Sequence, residues 1–148
     1  MYIGLLHFHN AMRWLVLLAA VLAVVVAVAG FVRGAPWGRG AKLSGLAYLI
    51  TMDVQLLVGF ILYGVSPIVR AAMGDVSLAM SDSEMRFFLF EHLLLMVVAV
   101  VLVHLGYAMS KRAASARRAY ARASTFYTLG LIALLLGMPW WRPLLPGT

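Results

Sequence analysis

The chain contains no cysteine. That excludes disulfides, thiolate metal ligands, iron–sulfur clusters and covalent haem attachment through a CxxCH site. Charge is scarce too: 11% of the 148 residues are Asp, Glu, Lys or Arg, and only five of these are acids. A soluble domain carries about 25% charged residues. Hydrophobic residues make up 64% and the mean hydropathy is +0.97, so an integral membrane protein is expected. A net charge of +7 would suggest nucleic acid in a soluble protein. Here membrane topology accounts for the basic residues, and no nucleic-acid partner is expected. No internal repeat, low-complexity tract or second domain is visible.

What is present in quantity is long apolar runs. Four cover about residues 5–32, 43–63, 87–109 and 123–138, and about 20 helical residues cross a bilayer core of about 30 Å. Helices satisfy their own backbone hydrogen bonds in lipid, where open sheets do not. Residues 1–148 are therefore expected to form one all-α domain, an antiparallel four-helix transmembrane bundle. Gly34, Pro36, Gly38 and Gly40 break the first connection and Ser66-Pro67 ends the second span. Ser81 and Glu84 have capping-box spacing before the third. Pro139 ends the fourth, and Trp140-Trp141-Arg142 has the character of an interfacial anchor. Ala23, Ala27, Gly30 and Gly34 form a small-residue stripe suited to close helix approach, as do Gly130 and Gly137.

The basic residues orient the bundle. Arg33, Arg39 and Lys42 in the first connection, with Lys111, Arg112, Arg117, Arg118 and Arg122 in the third, account for eight of the twelve. The middle connection holds Arg70 and Arg86 against Asp75, Asp82 and Glu84. Positive loops stay in the cytoplasm, so both termini and the middle connection are expected outside. Met1 to Gly30 has signal-peptide features, with Arg13, an apolar core and Ala27-Val28-Ala29. It is expected to be a retained first span.

Ionisable groups at membrane depth are costly, so each one is a functional-site hypothesis. His7 and His9 open the first span, and His92 opens the third. Spans one and three start at the same end of an up-down bundle, so these imidazoles approach one another there. Bundle cofactor sites are built in this way from facing helices, and a six-coordinate haem b takes two axial ligands. His7 and His9 are about 200° apart around the helix, so only one of them faces a given partner; His9 lies deeper. Arg13 and Arg86 stand at the same rim, suited to haem propionates.

His104 follows His92 by about 18 Å along the axis and about 120° around it. It invites a second haem at the inner side, where only Met52, Tyr48 or Tyr127 offer a partner. An interhelical hydrogen bond is the simpler expectation. Asp53 is an acid in mid-span, followed by Gln55. It reads either as a proton-relay or quinone-site acid, or as a packing residue bonded to His104 or Tyr107.

Several segments together resemble a family of short bacterial four-span proteins, known mostly from Bacteroidota and loosely labelled cytochrome b. They are His7-Phe8-His9-Asn10 with Arg13-Trp14, Gln55-Leu56-Leu57-Val58-Gly59 with Leu62-Tyr63 and Ser66-Pro67, Arg86-Phe87 with Glu91-His92, and Pro139-Trp140. The resemblance covers nearly the whole chain. It implies a haem b or respiratory-chain role for His7, His9 and His92 in a bacterial inner (cytoplasmic) membrane. A histidine often stands where this chain has Asp53, which weighs against an inner-side haem. The layout is also similar to cytochrome b561 and to half of haem A synthase, but the adjacent Glu91 and His92 do not match the acid–histidine spacing of the latter.

The leading expectation is a membrane haem b protein passing electrons, with a quinone or other subunits of a respiratory or photosynthetic complex as partners. The rival is a structural or assembly subunit of such a complex, without a cofactor of its own. A quinone reductase using Glu91, His92 and Asp53 ranks below both, because no second redox centre can be named.

Overall fold

The computed structural model describes residues 2–142. Its elements are α1 (Tyr2–Arg33), α2 (Arg39–Val65), three short helices α3 (Pro67–Gly74), α4 (Val76–Ser81) and α5 (Ser83–Arg86), a π-helical turn (Phe87–Glu91), α6 (His92–Lys111) and α7 (Ala116–Leu136). Four helical stretches, Tyr2–Arg33, Arg39–Val65, Ser83–Lys111 and Ala116–Leu136, are long and apolar enough to cross a membrane. The protein thus has the build of a multi-pass membrane protein. α1 packs on α2 and α7, and α6 packs on α7 and α2. The four close into a ring, with α1 and α6 on a diagonal.

Size sorts the side chains. Val16, Ala20, Ala23, Ala27, Ala99, Val103 and Ala123 fill the centre with Tyr48, Met52 and Tyr127, while Leu18, Val25, Leu57, Ile61, Leu94, Val101, Leu129 and Leu136 face outward. Apolar burial does not drive helices together in lipid, so small residues that bring backbones into van der Waals contact do the work. Tyrosine rings fill notches left by glycines. Tyr120 lies over Gly30, and Tyr127 lies over Gly45 and Gly106. Of the α1 stripe, Ala23, Ala27 and Gly30 are buried as expected. Gly34 is exposed and has φ 62°, so it turns the chain out of the helix.

The connection between α2 and α6 departs from the expected loop. Its three short helices cap one end of the bundle over a small core of Val69, Ala72, Ala79 and Leu89. The expected capping box at Ser81 and Glu84 is not formed. Asp82 caps α5, accepting from the Met85 amide at 2.8 Å, while the Ser81 hydroxyl bonds back to the Leu78 carbonyl. A carboxylate one residue downstream is the better acceptor for the free amides of a first turn. α7 ends at Leu136 with Gly137 as its C-cap, ahead of Pro139.

Candidate functional site

The π turn sets the third span's geometry. The His92 amide donates to the Phe87 carbonyl, five residues back, and the extra residue rotates everything before it relative to a continuous α-helix. A turn of this kind leaves carbonyls short of a partner. The Tyr63 hydroxyl, from α2, donates to the Leu89 carbonyl at 2.9 Å, which ties the turn to α2.

One turn of α6 thereby presents His92 to the interior. Its Nδ1 lies 2.6 Å from the Gly137 carbonyl. A carbonyl only accepts, so Nδ1 carries the proton and Nε2 keeps its lone pair. Gly137 is required for this approach, because a side-chain carbon there would collide with Leu95 and Met96. Across the interior stands His9 of α1, its ring centroid 6.4 Å from that of His92 and the planes 73° apart. Gly59 of α2 gives His9 room, since a Cβ there would touch its ring. The Gln55 amide nitrogen donates to the His9 carbonyl at 3.0 Å.

The two imidazoles line a cavity of about 280 Å³, together with Asn10, Arg13, Gln55, Met96 and Arg142 among others. That is just under the about 300–1,000 Å³ of typical small-molecule sites. Metal–imidazole bonds are about 2.0–2.1 Å, so two imidazoles on opposite sides of one ion have ring centres roughly 6 Å apart. Among the described residues no group of three or more His, Asp or Glu is placed to cage a metal ion, and a protein-only site needs three or four ligands. Two opposed imidazoles instead suit a metal that brings its own equatorial ligands, as haem iron does. Arginine on the wall suits that group's carboxylates: Arg13 is buried there, 6% exposed. The donor set fits a haem.

Of the other expected site residues, His7 also lines this cavity but is exposed. Arg86 does not line the cavity; it is paired with Glu91 at 2.8 Å. Arg142, beyond the last span, lines the wall in its stead. It bonds Glu84 through Nε and a terminal nitrogen at 2.8 and 2.6 Å and lies over the Phe88 ring. His104 is on the outward face, half exposed, with Nδ1 donating to the Val100 carbonyl at 3.0 Å and Nε2 3.5 Å from the Asp53 carboxylate. Asp53 thus lies beside His104, one of the two partners expected for that acid. Tyr48, Met52 and Tyr127 are in the core, so they are not brought to His104.

No family model matches the chain, and neither a curated protein nor a solved structure matches it.

Proposed function

We propose that the protein binds one b-type haem non-covalently between His9 and His92 and passes electrons within the membrane. The observation that carries this reading is the approach of two imidazoles from diagonal helices, ring centroids 6.4 Å apart, one with its Nδ1 proton held by the Gly137 carbonyl. Bound there, a haem supplies a one-electron ferric–ferrous couple. His9 and His92 would hold the iron between them, which would favour electron transfer over activation of a further ligand. Arg13 would face the propionates, and the alanine- and valine-lined interior below would keep water out. A quinol or another subunit of a respiratory or photosynthetic complex is the partner that this chemistry implies.

An absorption spectrum of the purified protein, oxidised and then reduced with dithionite, tests the proposal. A shifted Soret band and a sharp α-band are expected. Their absence from folded, haem-supplemented protein removes the haem reading and leaves the accessory-subunit reading in its place.

The same proposal includes an antiparallel bundle in a bacterial cytoplasmic membrane with both termini outside. Short connections at 34–38 and 112–115 support up-down neighbours. So do the contacts of His9, early in α1, with Gln55 and Gly59, late in α2. Single cysteines introduced into this cysteine-free chain check the orientation. Gly74→Cys is expected to label with an impermeant maleimide from outside and Ala116→Cys only after permeabilisation. The reverse pattern overturns it.

A further inference from the structure

Three contacts reach His92 from the segment that follows α7, one directly and two through phenylalanines. The Gly137 carbonyl accepts from its Nδ1 at 2.6 Å. The Phe87 ring, its centroid 5.8 Å from that of the imidazole, is backed by Trp141 at 4.6 Å. The Phe88 ring, at 5.9 Å, is backed by the Arg142 guanidinium at 4.6 Å. Aromatic pairs in contact lie about 4.5–7 Å apart, and a cation acts on a ring within about 6 Å. A single hydrogen bond fixes one nitrogen, and packing on the ring fixes its plane.

The segment itself needs an anchor. α7 ends at Leu136, helix ends fray, and the Gly137 carbonyl lies past the last helical residue. Beyond it the Trp140 amide bonds to Met138 at 3.0 Å and the Arg142 amide to Pro139 at 3.1 Å. Those bonds shape the segment without attaching it to the rest of the bundle. The attachment is at its far end. Arg142 donates from Nε and a terminal nitrogen to one Glu84 carboxylate oxygen, at 2.8 and 2.6 Å. Glu84 is on α5, immediately ahead of the π turn that carries Phe87 and Phe88. An isolated surface ion pair contributes little. This one is only partly exposed, 35% and 43%, its bonds are charge-assisted, and the same guanidinium lies over Phe88.

We infer that the Glu84–Arg142 pair is a latch that positions His92. Closing the segment after α7 onto the start of the third span keeps the Gly137 carbonyl on Nδ1 and keeps Phe87 and Phe88 against the ring. Arg142 and Glu84 are then positioning residues, acting through Gly137 and the two phenylalanines. With its proton held on Nδ1, the imidazole keeps its lone pair on Nε2, and a hydrogen bond behind a ligand orients it and raises its basicity. This inference rests on the haem reading for its purpose, but not for its test.

Solid-state NMR on ¹⁵N- and ¹³C-labelled protein in lipid, without haem, reads the His92 tautomer and its proximity to the two phenylalanines. The parent chain is expected to show one Nδ1–H form with cross-peaks to both rings. Arg142→Leu and Glu84→Ala are each expected to weaken those cross-peaks and to mix the tautomers. Arg142→Lys keeps a cation for Glu84 and Phe88 and is expected to restore the parent signal. His104, bonded to the Val100 carbonyl within its own helix, is the folding control and is expected to stay put throughout. Glu84→Gln, a milder change, carries the same test if Arg142→Leu disturbs that control. An unchanged His92 signal in Arg142→Leu with His104 intact overturns the inference. So does an effect of Arg142→Leu that Glu84→Ala does not share. Haem titration then separates the two claims: if haem binds, both variants are expected to weaken it about 10- to 100-fold. If haem never binds but the His92 signals respond, only the haem reading falls.

Discussion

His9→Ala and His92→Ala are each expected to abolish haem binding, with the reduced α-band lost, while His7→Ala and His104→Ala retain it. The asymmetry follows from where the rings stand. His9 and His92 face each other at 6.4 Å, and removing either leaves one axial position without an imidazole. Met96 is on the same wall, and methionine is a known axial ligand, yet it stands on the helix that already supplies His92. Losing only the hydrogen bond behind a ligand costs about 10- to 100-fold in affinity. Losing the ligand itself is therefore expected to exceed about 100-fold. His7 is exposed, and His104 is on the outward face, bonded to the Val100 carbonyl and lying beside Asp53. Titrating haem into the four variants, with circular dichroism to confirm helical content, reads the result. Loss of binding in His104→Ala with retention in His92→Ala would move the site to the inner side, near Asp53. If none of the four affects a chromophore, the accessory-subunit reading leads.

How much of this was legible in the sequence differs by residue, for physical reasons. The four span-length helices were legible because run length against bilayer thickness is a strong constraint, and polar residues such as Arg39 and Arg118 extend some of them beyond the apolar runs. The meeting of His9 with His92 followed from counting crossings. The short helices between Pro67 and Arg86 were not legible, because helices of eight residues or fewer are held by caps and packing rather than by periodicity. The pairing of Arg86 with Glu91 was not legible either, since the π turn between them carries no clear sequence signal. Gln55 was visible only as a neighbour of Asp53 and as part of a motif, with no role of its own. Its spacing was informative all the same: Tyr48, Met52, Gln55, Gly59 and Tyr63 recur at three to four residues on α2, one face of a helix. That face touches the tyrosine core, the cavity and the π turn. The Gly137 carbonyl could not be read from sequence, since a backbone acceptor has no side-chain signature.

The bundle's own stability is expected to be sensitive at Gly30, where Gly30→Ala destabilises by about 1–3 kcal/mol through overpacking. An added Cβ there falls within the Tyr120 ring, so one of the two must move. Tyr120 cannot easily do so. Its hydroxyl donates to the Pro36 carbonyl at 3.1 Å and its ring lies against Trp37 at 4.7 Å, both in the connection that follows α1. The helix would have to shift instead, opening the α1–α7 contact on which small residues depend. A control comes from Gly64, which has nothing within 4 Å of an added Cβ. Gly64→Ala is expected to be neutral or to stabilise by about 0.5–1 kcal/mol, because alanine is the better helix former. A double-mutant cycle assigns the cause. In a Tyr120→Ala background the ring is gone and Gly30→Ala is expected to cost little, giving a coupling within the about 0.5–3 kcal/mol usual for contacting residues. Reversible unfolding in mixed detergent, followed by circular dichroism, measures all four corners. Equal costs for Gly30→Ala with and without Tyr120 would show that the ring is not what the glycine accommodates.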